Sequence, residues 1–341
     1  VTDPVGLSET SAAIPAAPAV APALRFPRLL RALPGYRWWK PLVALVLAVV
    51  LWVVFQVVVG GAGVIIELVR GGIRTDTSQH LTKDVTAFLT IDTANPLSII
   101  FGLGGVATLL PAVLLAYRIV GLRPLGVLRS VAFRLRWRWM ALCLVPALVL
   151  TLIATGVGII GSGPLASPTV PLGDFLLRAA LIIVLTPIQA AAEEFAFRGL
   201  LMQMFGSWIR WARLVVPLAA VVFAAAHTQY FGWATADVFV FALVAGYVTW
   251  RTGGIEAGIA LHTANNTIAF LILASSVTGG TQNTGGTGDP ISLLISVLTM
   301  GLYVVAIEWL ARRRRIVAEL LPVAAVPERV LPPAPPAVIG E

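Results

Sequence analysis

Cysteine is nearly missing from this 341-residue chain: Cys143 stands alone, so a single chain can build neither a disulfide framework nor a thiolate metal cluster. Charge is equally scarce. Only 12% of residues are Asp, Glu, Lys or Arg against 58% hydrophobic, and the mean hydropathy of +0.91 excludes an ordinary soluble domain at roughly 45–50% apolar. The same apolar fraction excludes a chain that stays unfolded for want of surface to bury, in spite of 31 glycines and 23 prolines. There are three histidines, no H-E-x-x-H sequence and no evident internal repeat. What remains is an integral membrane protein. Its 24 basic residues outnumber 16 acidic ones, but nearly all are arginines clustered between apolar runs, a pattern that orients a chain in a bilayer. No nucleic-acid partner is expected.

A bilayer core needs roughly 20 apolar residues in a helix. Eight candidate spans meet or approach this, at about 41–66, 97–117, 140–160, 175–197, 213–229, 236–250, 254–276 and 291–311, the fifth and sixth being short. The expected fold is therefore all-α and polytopic, about eight transmembrane helices with a polar cluster inside the bundle. The expected organisation is an Ala/Pro-rich disordered tail over 1–36, helices 1–3 and the start of helix 4 over 37–177, and a core over 178–275. A last helix lies within 276–315 and a Pro-rich tail over 316–341. The first apolar run begins after Lys40, too deep and too long for a cleaved secretory segment, and reads as an anchor. Twenty Lys and Arg fall on one side of the alternating connections and four on the other, which predicts a cell-membrane protein with both termini cytoplasmic.

Ionisable groups inside a membrane are costly and need a reason. Glu67, Glu256 and Glu308 lie near the ends of their spans and read as snorkelling side chains. Glu193 and Glu194 do not. Glu194 and Arg198, four apart, share a helix face and suit a charge-assisted pair. Glu193 points about 100° away with no local partner, so it must be protonated, paired with another helix or held in a wet cavity. Two of the three histidines lie in other apolar spans: His227, backed by Phe223 four residues earlier, and His262, four residues before Asn266 on one face. These groups meet at one depth only if the Glu helix runs past Arg198 to about Phe205, with Gly206 ending it. That places Glu193 and Asn266 each ~18 Å from the inner ends of their helices.

Such a set supports hydrolysis. A carboxylate beside an imidazole can deprotonate a water molecule, and a His N–H with an Asn amide can donate to the oxyanion of an attacked carbonyl. Cys143 lies on another span without a partner, which disfavours a thiol mechanism. Zinc is the rival assignment, with Glu193, His227 and His262 as ligands and an open fourth position.

Glu193-Glu194-x-x-x-Arg198, Phe223-x-x-x-His227 and His262-x-x-x-Asn266, in this order on successive apolar segments, resemble the three motifs of the CPBP intramembrane protease family, also called the CAAX endopeptidase or ABI family. The resemblance covers about 178–275. It implies that Glu193 and His227 activate water, that His262 and Asn266 form the oxyanion hole, and that Glu194 with Arg198 holds the site's shape. It also implies that no cofactor beyond water is required, zinc being the minority view. The expected function is an intramembrane endopeptidase acting on membrane-associated or C-terminal peptide substrates, its cavity open to the cytoplasmic side or the lipid. The alternatives are a non-catalytic membrane partner that binds peptide or confers bacteriocin immunity, and a proton-coupled transporter. The lack of inverted repeats disfavours transport.

Overall fold

The computed structural model describes residues 23–161 and 170–320. Expectations for 1–22 and 321–341 lie outside the described residues. The chain is an all-α polytopic membrane protein. Seven helical stretches are long and apolar enough to cross a bilayer. They are α1 (Lys40–Val69), the jointed pair α3 (Pro96–Ala107) and α4 (Leu109–Val120), α5 (Trp137–Gly161), the stretch beginning with α6 (Leu172–Glu194), α9 (Gly232–Thr252), α10 (Glu256–Ser275) and α11 (Pro290–Arg314). The amphipathic α2 (Ser78–Leu89) lies in the long polar connection. The expected fifth span is the apolar helix α8 (Ala212–Ala226), only 15 residues long. At 1.5 Å per residue it rises ~22 Å, and the connection after it completes the passage to the face where Phe231 bonds Gly286 and Tyr230 bonds Asn283. It ends at His227, where φ −96° and ψ 62° leave the helical region.

Helix starts follow local chemistry. Asn95 accepts from the Leu97 amide and precedes Pro96, and Asp289 accepts from the Ile291 and Ser292 amides and precedes Pro290. Each pairs a capping side chain with a proline at the first helical position, where its missing N–H costs nothing. Val53, Val57 and Val58 of α1, with Ile153 and Ile160 of α5, are exposed, as lipid-facing surface must be. α10 is the centre of the bundle, packed against α5, α6 and α9, while α3 joins α6 to α1 and α11 closes on α5 and α9.

The stretch from α6 does not stop near Phe205. It passes through a π-helical turn (Phe195–Leu201) into α7 (Met202–Trp208), and Gly206 lies inside that helix instead of breaking it. A glycine is needed there because any Cβ would run into the backbone of Pro27. Pro27 belongs to a 3₁₀ helix, Phe26–Ala32, whose Phe26, Leu29 and Leu30 are fully buried. The expected disordered tail over 1–36 is corrected accordingly, since residues from 24 onward are folded. The strand β1 (Leu24–Arg25) pairs antiparallel with β2 (Glu319–Leu320), and Arg25 meets Glu319 at 2.7 Å. Residues 319 and 320, expected in the tail from 316, are therefore held in this pairing.

The snorkelling reading of three glutamates is also corrected. Glu256 is fully buried at the start of α10 and takes both arms of Arg136, at 2.8 and 2.7 Å. Glu308 pairs with Arg251 at 2.5 and 3.0 Å, and Glu67 accepts from Asn95 at 3.0 Å. For Glu256 and Glu308 a guanidinium within reach outweighs the route to the interface because the ion is then compensated where it stands.

Candidate functional site

Glu193 and Glu194 close the last turn of α6, immediately before the π turn. Such turns often sit at functional sites because the extra residue re-aims neighbouring side chains. Glu194 is fully buried. Its Oε1 accepts from Arg198 Nη1 at 2.7 Å and from His262 Nδ1 at 2.9 Å. Arg198, 2% exposed, also donates to the Ala242 carbonyl at 3.1 Å and lies 4.6 Å above the Phe223 ring. One carboxylate thus ties α6, the π turn, α9 and α10 together. Gly258 makes room for it: a Cβ there would stand 2.6 Å from Glu194 Oε2.

Glu193 is 8% exposed and turns to the other side of the helix. Its Oε1 accepts from Gln189 Nε2 at 2.6 Å, and its Oε2 has no hydrogen-bond partner in the protein. That oxygen lies 3.7 Å from His262 Nε2 and 4.0 Å from His227 Nε2. Both rings are aimed by their other nitrogen. His227 Nδ1 is 2.8 Å from the Phe223 carbonyl, which only accepts, so this nitrogen carries the proton and Nε2 faces the cavity. His262 Nδ1 is held by Glu194 in the same manner, and Phe241 packs edge-on against its ring at 5.0 Å. The Phe223 ring lies 4.4 Å from that of His227.

Asn266, one turn beyond His262, donates from Nδ2 to Gln189 Oε1 at 3.2 Å and accepts from Asn265 at 3.2 Å. Glu193, His227, His262 and Asn266 therefore line one cavity of about 290 Å³, with Glu194, Arg198 and Phe223 forming its supports. Gln189 bridges Glu193 to Asn266, a role not expected from the sequence. Its signal was an amide four residues before Glu193 in an otherwise apolar span.

The cavity extends away from the arginine-rich end. Its farther walls are the first three turns of α9 and the connections that hold Ile91, Tyr230 and Asn283. Those connections are strapped together: Thr93 donates to the Thr281 carbonyl, Phe231 to that of Gly286, and Tyr230 Oη to Asn283. The buried Glu194–Arg198 pair and the core around Leu200 close the cavity at its arginine-rich end.

The distances do not suit zinc held by Glu193, His227 and His262. A tetrahedral zinc with bonds of about 2.0–2.1 Å holds its donor atoms about 3.3–3.4 Å apart. Glu193 Oε2 stands farther than this from both imidazole nitrogens, and among the described residues no group of three or more His, Cys, Asp or Glu side chains is arranged to hold a metal ion. As placed, the three side chains do not form a zinc site. Separations of 3.7 and 4.0 Å suit one water molecule hydrogen-bonded to the carboxylate and an imidazole together.

Residues 174–268 match the family described as Type II CAAX prenyl endopeptidase Rce1-like. The chain is 36% identical over 114 residues to an uncharacterized protein, YyaK, of Bacillus subtilis (strain 168), covering 31% of this chain and 38% of that protein. It is 30% identical over 189 residues to an uncharacterized 24.3 kDa protein of Escherichia coli, covering 50% of this chain and 79% of the relative. No solved structure matches it significantly. The matched stretch runs from the start of α6 into α10 and so contains every motif that builds the cavity, and the chain belongs to the CPBP, or CAAX protease, family of membrane proteins.

Proposed function

We propose that this protein is an intramembrane endopeptidase that hydrolyses peptide bonds of membrane-associated peptides through an activated water, without a covalent intermediate and without a metal. The observation that carries the reading is the unpartnered Glu193 Oε2 facing two imidazole nitrogens at 3.7 and 4.0 Å in a polar cavity inside an apolar bundle. A buried carboxylate oxygen left without a hydrogen bond is costly, and a site that binds a reacting water returns that cost.

In this scheme Glu193, assisted by His227 Nε2, takes a proton from the water as its oxygen bonds to the carbonyl carbon. His262, holding protons on both nitrogens, donates from Nε2 to the oxyanion together with the Asn266 amide. The carbon–nitrogen bond breaks as the abstracted proton passes to the leaving amine, and a carboxylic acid and an amine result. Glu194 and Arg198 touch no reacting atom in this account; they hold His262 in its orientation. We place both termini on the cytoplasmic side from the arginine distribution, so the cavity is reached from the opposite face or from the lipid.

The test is cleavage of a quenched peptide library by the purified full chain, comparing wild type with Glu193→Ala, His227→Ala and Glu194→Ala, with and without a chelator. Near-complete loss in the first two, at unchanged folding and without a chelator effect, is the expected result. Retained cleavage in Glu193→Ala would remove the assigned base, and inhibition reversed by zinc would move the chemistry to metal-assisted hydrolysis. For orientation, an impermeant thiol reagent applied to intact cells should label Asn283→Cys and not Arg123→Cys.

A further inference from the structure

The cavity carries a second carboxylate that the hydrolytic scheme does not use. Asp237 is half-buried in the second turn of α9, and Ser296 of α11 stands with it on the cavity wall. It faces the cavity that holds Glu193, and also a smaller one of about 180 Å³ between α5, α9 and α11, whose walls include the side chains of Thr151, Asn265 and Ser292. Asp237 therefore has polar space on two sides and is not sealed into an apolar contact. It lies four residues, one turn or ~6 Å, before Phe241, whose ring packs on His262. Asp237 and Glu193 line the same cavity, so a peptide held at Glu193 and extended along α9 passes Asp237.

Apart from the His262 imidazolium of the hydrolytic scheme, which Glu193 and Glu194 already face, the charged groups of the lining are acidic. Glu193 and Asp237 are its carboxylates, and neither lysine nor arginine contributes to it. The nearby guanidinium of Arg198 is already engaged by Glu194 and lies outside the cavity wall. A carboxylate placed beside Asp237 would meet repulsion with no lysine or arginine to receive it. A cationic group would meet the reverse, a carboxylate in a low-dielectric wall where charge pairing counts for more than in water.

We propose that Asp237 is a specificity-determining residue, receiving a cationic group of the peptide whose amide is held at Glu193. This rests on the endopeptidase reading for its chemistry, though not for the binding it asserts. The cation is a lysine or arginine side chain or a free amino terminus, and peptides with acetylated amino termini separate the two sources.

The experiment uses the full chain in detergent micelles. Paired quenched peptides carry Lys or Gln at one position at a time around the scissile bond, with free or acetylated amino termini. The wild type should favour a cationic peptide, and Asp237→Asn should lower kcat/KM for it by about tenfold or more, the usual cost of losing a hydrogen bond to a charged group, while leaving the neutral peptide unchanged. Asp237→Glu should keep the preference, and Asp237→Lys should reverse it toward Glu-containing peptides. A packing role alone would lower both substrates together. No preference in the wild type, or the same Lys/Gln ratio in Asp237→Asn, overturns the proposal. Should the wild type cleave nothing, the endopeptidase reading fails by itself. Equilibrium binding of the same labelled peptides to wild type and Asp237→Asn then decides this one, equal affinity for Lys and Gln peptides being the refuting result.

Discussion

Two adjacent glutamates at the end of α6 should respond oppositely to removal. Glu194→Ala deletes the acceptor shared by Arg198 Nη1 and His262 Nδ1, at 2.7 and 2.9 Å. It leaves a guanidinium 2% exposed with only the Ala242 carbonyl and the face of Phe223, and an imidazole N–H with no acceptor. Breaking a buried pair from one side costs about 3–5 kcal/mol because the remaining charge is uncompensated, of which relief of Glu194 Oε2, itself without a partner, returns about 1–3 kcal/mol. Glu193→Ala removes a carboxylate that accepts one hydrogen bond, from Gln189, and whose other oxygen has none. The lost bond to a charged group is worth about 1.5–3 kcal/mol, and relief of the unsatisfied buried oxygen returns about 1–3 kcal/mol, so the net change should lie near zero. Reversible unfolding in mixed micelles would measure both. Glu194→Ala should unfold at clearly lower denaturant with its m-value retained, while Glu193→Ala should track the wild type and yet lack cleavage. Equal loss of stability in the two variants, or a Glu194→Ala protein as stable as wild type, would refute the division between a supporting and a reacting carboxylate.

Gly258→Ala should weaken the fold by about 1–3 kcal/mol, although alanine is the better helix former by about 1 kcal/mol, because the new Cβ would press on Glu194 Oε2 at 2.6 Å. The same micelle titration checks this, and a neutral or stabilising result would show that the carboxylate has slack. In the polar connection, hydrogen bonds from Arg74 hold the Asp84 carboxyl well below the usual carboxylate range. A depressed carboxylate contributes stability that is present above its ordinary value near ~3.9 and is lost as pH falls toward its folded value. Amide exchange of α2 should therefore be insensitive to pH from 7 to 5, after correction for intrinsic rates, and lose protection in stronger acid. Asp84→Asn should abolish that acid step.

The primary sequence determined the class of the molecule by itself. With so few charges and so many apolar runs, helices in a bilayer are the arrangement that satisfies every backbone group, and the arginine clusters carry an orientation because charge is so unevenly placed between spans. It also disclosed the polar residues of the cavity, since Glu193, Glu194, His227, His262 and Asn266 stand out against apolar surroundings at helical spacing. Periodicity is a local property, and it reaches no farther than one helix. That α8 stops at 15 residues and leaves His227 at its end, that the helix carrying Glu193 runs on through a π turn past Gly206, and that Glu256 pairs with Arg136 all depend on segments distant in the chain. So does folding of the segment around Phe26 and Leu30, which looked like tail until Pro27 was set against Gly206. Only the tertiary structure brought Glu193 Oε2 within 4.0 Å of two imidazoles, turned the cavity toward the arginine-poor end and put Asp237 on its wall, because the packing of whole helices, and not the spacing along any one of them, decides which faces meet.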